Sequence, residues 1–220
     1  MKLEAVVFDF DGVLADSEPL HLRALQDALA ARGIDLGAEE YYATLLGFND
    51  AEALENLARA RGLSLDDAAQ LSINQDNAAR FAALQAANDV LFPGAMALVA
   101  RLGAEVPLAI ASGARRDEIT RTLAHASLTA AFKTIVASGD TPQSKPAPDP
   151  YALAVKRLGV RPSCTAAIED SRWGLQSARA AGLRTVAITH SYPADELRPY
   201  ADLVVASLNE ISLRVLDGLL

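Results

Sequence analysis

Asp9 and Asp11 stand one residue apart in Phe8-Asp9-Phe10-Asp11-Gly12, directly after the apolar run Ala5 to Phe8. Carboxylates this close repel, so they need a cation, a shared proton or solvent. A hard cation such as Mg2+ meets that need with oxygen ligands and can also bridge a phosphate. Three later segments carry groups of related character. Ile110-Ala111-Ser112-Gly113 sets a hydroxyl and a glycine where a helix is expected to start, and such a start offers free backbone N–H groups to an anion. Lys145 lies in Gln143-Ser144-Lys145-Pro146-Ala147-Pro148-Asp149-Pro150, whose three prolines stiffen the loop and hold a charge in place. Ala167-Ile168-Glu169-Asp170-Ser171 brings a second carboxylate pair to a strand-to-helix turn. Taken singly, each has an ordinary structural explanation. These are a solvated acidic turn, an N-cap serine, a solvated loop lysine and helix capping by Asp170.

The elements that must position these groups follow from the hydrophobic pattern. Ala5 to Phe8 is short, apolar and bounded by turn residues, which reads as a buried strand. Gly12 lets the backbone turn where a side chain would crowd it. Asp9 and Asp11 then fall just past the carboxyl end of a central strand, where open α/β sheets bind ligands. From Asp16 or Ser17, as helix cap, the pattern is helical: Leu22, Leu25 and Leu29 recur at helical spacing. It stays helical from Glu39 to about Asn88, with breaks at Gly47, Gly62 and Ser64 to Asp67. After Pro93-Gly94, helices and strands alternate to the end. The expected strands are Pro107 to Ala111, Thr134 to Ala137, Ala166 to Ile168, Thr185 to Ile188 and Leu203 to Ala206. Such alternation implies a parallel sheet with helices on both faces. The fold class is therefore α/β, with a helical insertion at 16–89 dividing a core made of 1–15 and 90–220.

Composition narrows the function. The 220 residues are 51% hydrophobic, enough for one sizeable core and an inserted subdomain. A net charge of -8 argues against a nucleic-acid or anionic-membrane partner, so a phosphate ligand needs local positive charge. Cys164 is the only cysteine, which excludes an intrachain disulfide and suits a reducing compartment. The start, Met1-Lys2-Leu3-Glu4, leads straight into a strand, and no apolar stretch is long enough to span a bilayer. A cytoplasmic protein is expected. Nothing in the sequence sets an oligomeric state, and a monomer is compatible with it.

The order of the four segments is more specific than any one of them. Together they resemble the motifs of haloacid dehalogenase superfamily hydrolases, in the branch that includes β-phosphoglucomutase and phosphoglycolate phosphatase. Asp9-Phe10-Asp11-Gly12-Val13 resembles the first motif, Ser112 the second, Lys145 the third and Glu169-Asp170 the fourth. The helical insertion resembles the family's cap, and the core a Rossmann-like sheet. The resemblance implies that Asp9 is a nucleophile forming an aspartyl-phosphate. It implies that Asp11 protonates the leaving alcohol and then activates water. Mg2+ is implied as cofactor, held by Asp9, the Asp11 backbone carbonyl and Asp170, with Glu169 in or beside that shell. Ser112, the Gly113 and Ala114 amides and Lys145 are implied to hold the phosphoryl oxygens.

The implied partner is a small phosphorylated metabolite, such as a sugar phosphate. Dehalogenating members lack the second aspartate, so Asp11 favours phosphate chemistry. Phosphonate-cleaving members use a cap lysine, and Pro19 to Asn88 contains none. His21 matches a histidine of β-phosphoglucomutase and is a candidate substrate contact, as are Arg115 and Arg116. In Leu46-Gly47-Phe48-Asn49-Asp50, the position where the mutase holds its distal phosphate with arginine is Asp50. Hydrolysis is therefore expected ahead of a hexose-phosphate mutase reaction, and, because Asp9, Asp11, Lys145 and Asp170 are all present, both are expected ahead of a non-catalytic phosphometabolite sensor. Trp173 is expected to pack against the sheet.

Overall fold

The computed structural model describes residues 2–45, 48 and 50–220, with the Asp50 side chain outside the description. By contacts the chain divides into two compact units, residues 1–16 with 90–220 and residues 17–89.

The first unit is built on six parallel strands in the order β3-β2-β1-β4-β5-β6. They are β1 (Ala5–Phe8), β2 (Leu108–Ala111), β3 (Phe132–Val136), β4 (Thr165–Glu169), β5 (Arg184–Ile188) and β6 (Leu203–Val205). β1, β2 and β4 are buried along their whole length, as helices on both faces require. The strand order runs outward from β1 one way to β3 and from β4 the other way to β6. The reversal lies between β1 and β4, where the diverging connections leave a crevice beyond the carboxyl ends. Val7 pairs with Ala109 on one side and with Ala167 on the other, so the three strands end level with one another.

The helices of this unit follow from apolar stripes. They are α5 (Ala95–Gly103), α6 (Arg116–His125), α7 (Asp149–Leu158), α8 (Arg172–Ala180), α9 (Ala194–Leu197) and α10 (Leu213–Asp217). α7 buries Tyr151, Ala154 and Val155 against Val7, Ala109 and Ala167 of the sheet. Two expectations need correction. α6 starts at Arg116, not at Ser112-Gly113, so those residues lie in the loop that precedes the helix. Trp173 does not pack against the sheet: it is 45% exposed, with the Arg172 guanidinium 4.5 Å from its ring centroid.

The second unit is all helical among the described residues: α1 (Glu18–Ala30), α2 (Ala38–Thr44), α3 (Asp50–Arg61) and α4 (Asp67–Ala87). Leu22, Leu25 and Leu29 of α1 close on Leu54 and Leu57 of α3 and Ile73 of α4. Asp66 caps α4 by accepting the Ala69 amide at 2.7 Å. Ser17 precedes α1 but has a helical backbone and no capping bond from its side chain, so Ser17 does not cap the helix and Pro19 supplies the rigid start. Among the described residues no helix is long and apolar enough to cross a membrane.

Candidate active site

The carboxyl end of β1 continues its pairing one residue past the strand, as the Asp9 amide donates to the Ile168 carbonyl at 2.9 Å. This fixes Asp9 beside β4. The chain then folds back on itself, with Gly12 N–H bonded to the Ala15 carbonyl and Leu14 and Ala15 both bonded to the Phe10 carbonyl. Gly12 sits at φ +74°, and a Cβ there would lie 1.9 Å from Asp170 Oδ2. Glycine is required twice, by the backbone and by the approach of that carboxylate.

Lys145 reaches into the crevice from the proline-rich loop. The Ala147 carbonyl of that loop accepts the Ser177 hydroxyl at 2.5 Å, which ties the loop to α8. Lys145 Nζ lies 2.6 Å from Glu169 Oε1 and 2.8 Å from Asp9 Oδ1. The first contact is an aligned hydrogen bond. The second lacks that alignment, so Asp9 Oδ1 has an ion-pair partner but no hydrogen-bond donor among the described residues.

Glu169 is completely buried. Its Oε1 accepts Lys145 and, at 2.9 Å, the Tyr151 hydroxyl. Its Oε2 accepts the amides of Asp170 and Ser171 and the Ser171 hydroxyl, at 3.1, 3.2 and 3.0 Å. Ser171, not Asp170, caps α8, by accepting the Gly174 amide at 3.1 Å. The carboxylate occupies the space beside Gly174 that a side chain would fill, since a Cβ there would lie 1.9 Å from Glu169 Cδ. Gly174→Ala should therefore destabilise the fold by about 3 kcal/mol, at the upper end of overpacking costs. Urea unfolding of the variant measures it, and wild-type stability would show that Glu169 can vacate its seat freely.

Asp9, Glu169 and Asp170 each present an oxygen within 4.8 Å of the others. Three carboxylates face one ammonium here, which leaves an excess of buried negative charge. Burial and the Glu169 carboxylate push Asp9 up to about 7, against the pull of Lys145. Burial, Glu169 and Asp9 likewise raise Asp170 well above the ordinary carboxylate range. Burial pulls the Lys145 ammonium down, but Asp9 and Glu169 outweigh it and hold the group charged. The donor set consists of hard oxygens, one of them lacking a hydrogen-bond donor, beside a glycine that clears the space. These residues fit a divalent cation such as Mg2+.

The other expected site residues fall in three groups. Ser112 is buried, at the end of β2, and its amide donates to the Val136 carbonyl. Its hydroxyl accepts the Ala114 amide at 3.0 Å, so that amide, expected to face a phosphoryl group, already has an acceptor. Gly113 lies in the same loop, and Asp11, partly buried, in the turn after Asp9. Arg115 and Arg116 are engaged with carboxylates: Arg115 with Asp117 at 3.1 Å and Arg116 with Asp140 at 2.6 Å. His21 belongs to the helical unit, where its ring stacks on Phe81 at 3.9 Å between centroids. Leu46, Gly47 and Asn49 of the expected phosphate-discriminating segment, and the Asp50 side chain, lie outside the described residues.

Residues 3–182 match the family model of the haloacid dehalogenase-like hydrolases. The chain belongs to this family. The protein CbbY of Rhodobacter capsulatus is 34% identical over the full length of both chains. Hexitol phosphatase B of Escherichia coli K12 is 32% identical over 99% of this hydrolase and 98% of its own length. Among solved structures, CbbY from Rhodobacter sphaeroides in complex with xylulose-(1,5)bisphosphate superposes with a TM-score of 0.88. That match has 31% identity and covers 98% of this hydrolase and 99% of the other chain. The parallel sheet of this hydrolase is thus the fold of the family.

Proposed function

We propose that the protein is a Mg2+-dependent phosphatase acting on a small sugar phosphate through an aspartyl-phosphate on Asp9. The observation that carries this reading is the Asp9, Lys145, Glu169 and Asp170 cluster at the point where the strand order reverses. The CbbY structure in complex with xylulose-(1,5)bisphosphate and hexitol phosphatase B support the substrate class. Asp9 and Asp170 are the side chains we assign to Mg2+. Glu169 already takes five donors on two oxygens, so its assigned task is to hold Lys145. Mg2+, when bound, offsets the repulsion between the carboxylates and an incoming phosphate.

In this reading an Asp9 oxygen attacks phosphorus as the bond to the sugar oxygen breaks, and Asp11 gives that oxygen its proton. Asp11, now a carboxylate, takes a proton from water as the water attacks phosphorus of the aspartyl-phosphate, releasing phosphate and freeing Asp9. Lys145 and the Ser112 hydroxyl face the charge that builds on the phosphoryl oxygens. By family resemblance the helical insertion is assigned the cap role.

The test is phosphate release from a panel of sugar mono- and bisphosphates that includes xylulose 1,5-bisphosphate and hexitol phosphates. Release that stops with chelator and returns with Mg2+ is expected. No release from any ester, or β-glucose 1-phosphate converted to glucose 6-phosphate without free phosphate, overturns the reading; the second result marks a mutase.

Mg2+ binding should also depend on pH. Metal-free Asp9 holds its proton up to about 7, and a cation must displace it. Affinity for Mg2+ should rise at least about tenfold per unit between pH 5.5 and 7, because Asp9 and the likewise raised Asp170 must both be carboxylates to hold the cation. Relative to an unfolded aspartate near 4, folded Asp9 keeps an extra proton between about 4 and 7. Its contribution to metal-free stability is therefore present below that window and lost as pH rises through it. Calorimetric titration and melting curves across this range check both signs, and a pH-independent affinity would contradict the assignment of Asp9.

A further inference from the structure

Two polar side chains follow β5, and the mechanism above makes no use of them. Thr189 continues the pairing with β6, its amide donating to the Val205 carbonyl at 3.1 Å. This anchors the next two residues beside the site. The Ser191 hydroxyl donates to Asp170 Oδ2. His190 Nδ1 lies 2.9 Å from the Gly12 carbonyl, and because a carbonyl only accepts, Nδ1 carries the proton. The face of the His190 ring is held by Phe92, 3.9 Å away between centroids and nearly parallel.

We propose that Ser191 is a positioning residue that orients the Asp170 carboxylate for the divalent cation, with His190 fixing the Gly12 backbone opposite. The proposal rests on the assignment of Asp170 to the metal. The point where a Gly12 Cβ would sit is 1.9 Å from Asp170 Oδ2 and 2.8 Å from Ser191 Oγ. Gly12, Asp170 and Ser191 therefore meet at one place, and each limits where the others go. Rotation of the carboxylate away from Ser191 breaks its bond, while movement toward β1 meets the Gly12 backbone. His190 stops that backbone from yielding, because its carbonyl is bonded to the ring. The dipeptide thus spans both sides of the crevice, with one hydrogen bond to the β1 turn and one to the β4 end. Partners that orient a metal ligand without touching the metal typically carry 10–100-fold in affinity.

The experiment is a calorimetric Mg2+ titration of the full, substrate-free chain, comparing wild type, Ser191→Ala and Ser191→Thr. Ser191 is exposed, so alanine leaves no cavity, and its backbone is not left-handed, so threonine is admitted. Ser191→Ala should weaken Mg2+ binding about tenfold or more, while Ser191→Thr, which keeps the hydroxyl, stays within about threefold of wild type. The melting temperature of metal-free Ser191→Ala should be close to that of wild type. Unchanged affinity in Ser191→Ala would overturn the proposal, as would equal losses in both variants, which would place the effect in packing. A wild-type chain that bound no Mg2+ would remove the metal site itself, a failure distinct from the other two.

Discussion

Asp9→Asn should lower turnover by about 10^4-fold or more while leaving the fold intact. The exchange keeps the shape of the side chain and removes the attacking oxygen's charge, and losing a nucleophile costs on this scale. The fold should survive because Asp9 adds to the excess of buried carboxylate in its cluster. Its removal relieves the repulsion with Glu169 and Asp170, although Lys145 loses one of its two partners. The Asp9 amide still bonds to the Ile168 carbonyl, so the end of β1 stays in register. The metal-free variant should therefore melt at or above the wild-type temperature. Steady-state assays with the best substrate of the panel, alongside melting curves, measure both effects. A stable variant with near-normal turnover would remove Asp9 from the chemistry.

Lys145→Met should be damaging in two separable ways. Turnover should fall by about 10^2–10^3-fold, the usual cost of removing one charge-stabilising donor. Stability should fall by about 3–5 kcal/mol, because Glu169 would be left fully buried without its countercharge. Replacing both partners is the informative control. Lys145→Met combined with Glu169→Gln removes charge from both and leaves Tyr151 and the Ser171 hydroxyl to bond the amide. The double variant should recover most of the lost stability and none of the lost turnover. Urea unfolding and steady-state kinetics on the single and double variants form the measurement. If the single variant were as stable as wild type, Lys145 would not be the countercharge that offsets the burial of Glu169.

The strand-end residues Asp9, Glu169 and Asp170 were legible in the sequence for a physical reason, and Lys145 by the three prolines that stiffen its loop. Each of the three carboxylates ends or follows a short apolar run, and a parallel sheet can only deliver such residues to the same edge. The helical insertion was legible because Leu22, Leu25 and Leu29 keep helical spacing where strand patterns stop. What stayed hidden depends on contacts distant in sequence. Tyr151 sits in the apolar stripe of α7 with Ala154 and Val155, and nothing in that stripe announces that its hydroxyl ends on Glu169. Gly174 could have been found, since an isolated glycine in a helical pattern implies a close packing neighbour. The same holds for His190 and Ser191, polar residues just past the apolar run Val186 to Ile188, which is the signal that singled out Asp9. Ser112-Gly113 has good capping residues and so points to an earlier start for α6, while the actual N-cap is Arg115, whose amide donates to Glu118 at 3.1 Å.

The central claim is that phosphate leaves the substrate by way of Asp9. Its most direct test is rapid acid quench of the wild-type chain during a single turnover of the preferred ester, followed by peptide mass spectrometry. The phosphoryl group should appear on the peptide carrying Asp9, be removed by hydroxylamine as an acyl phosphate is, and be absent from Asp9→Asn. A phosphoryl group on any other residue, or phosphate released at the wild-type rate by Asp9→Asn, would contradict the account.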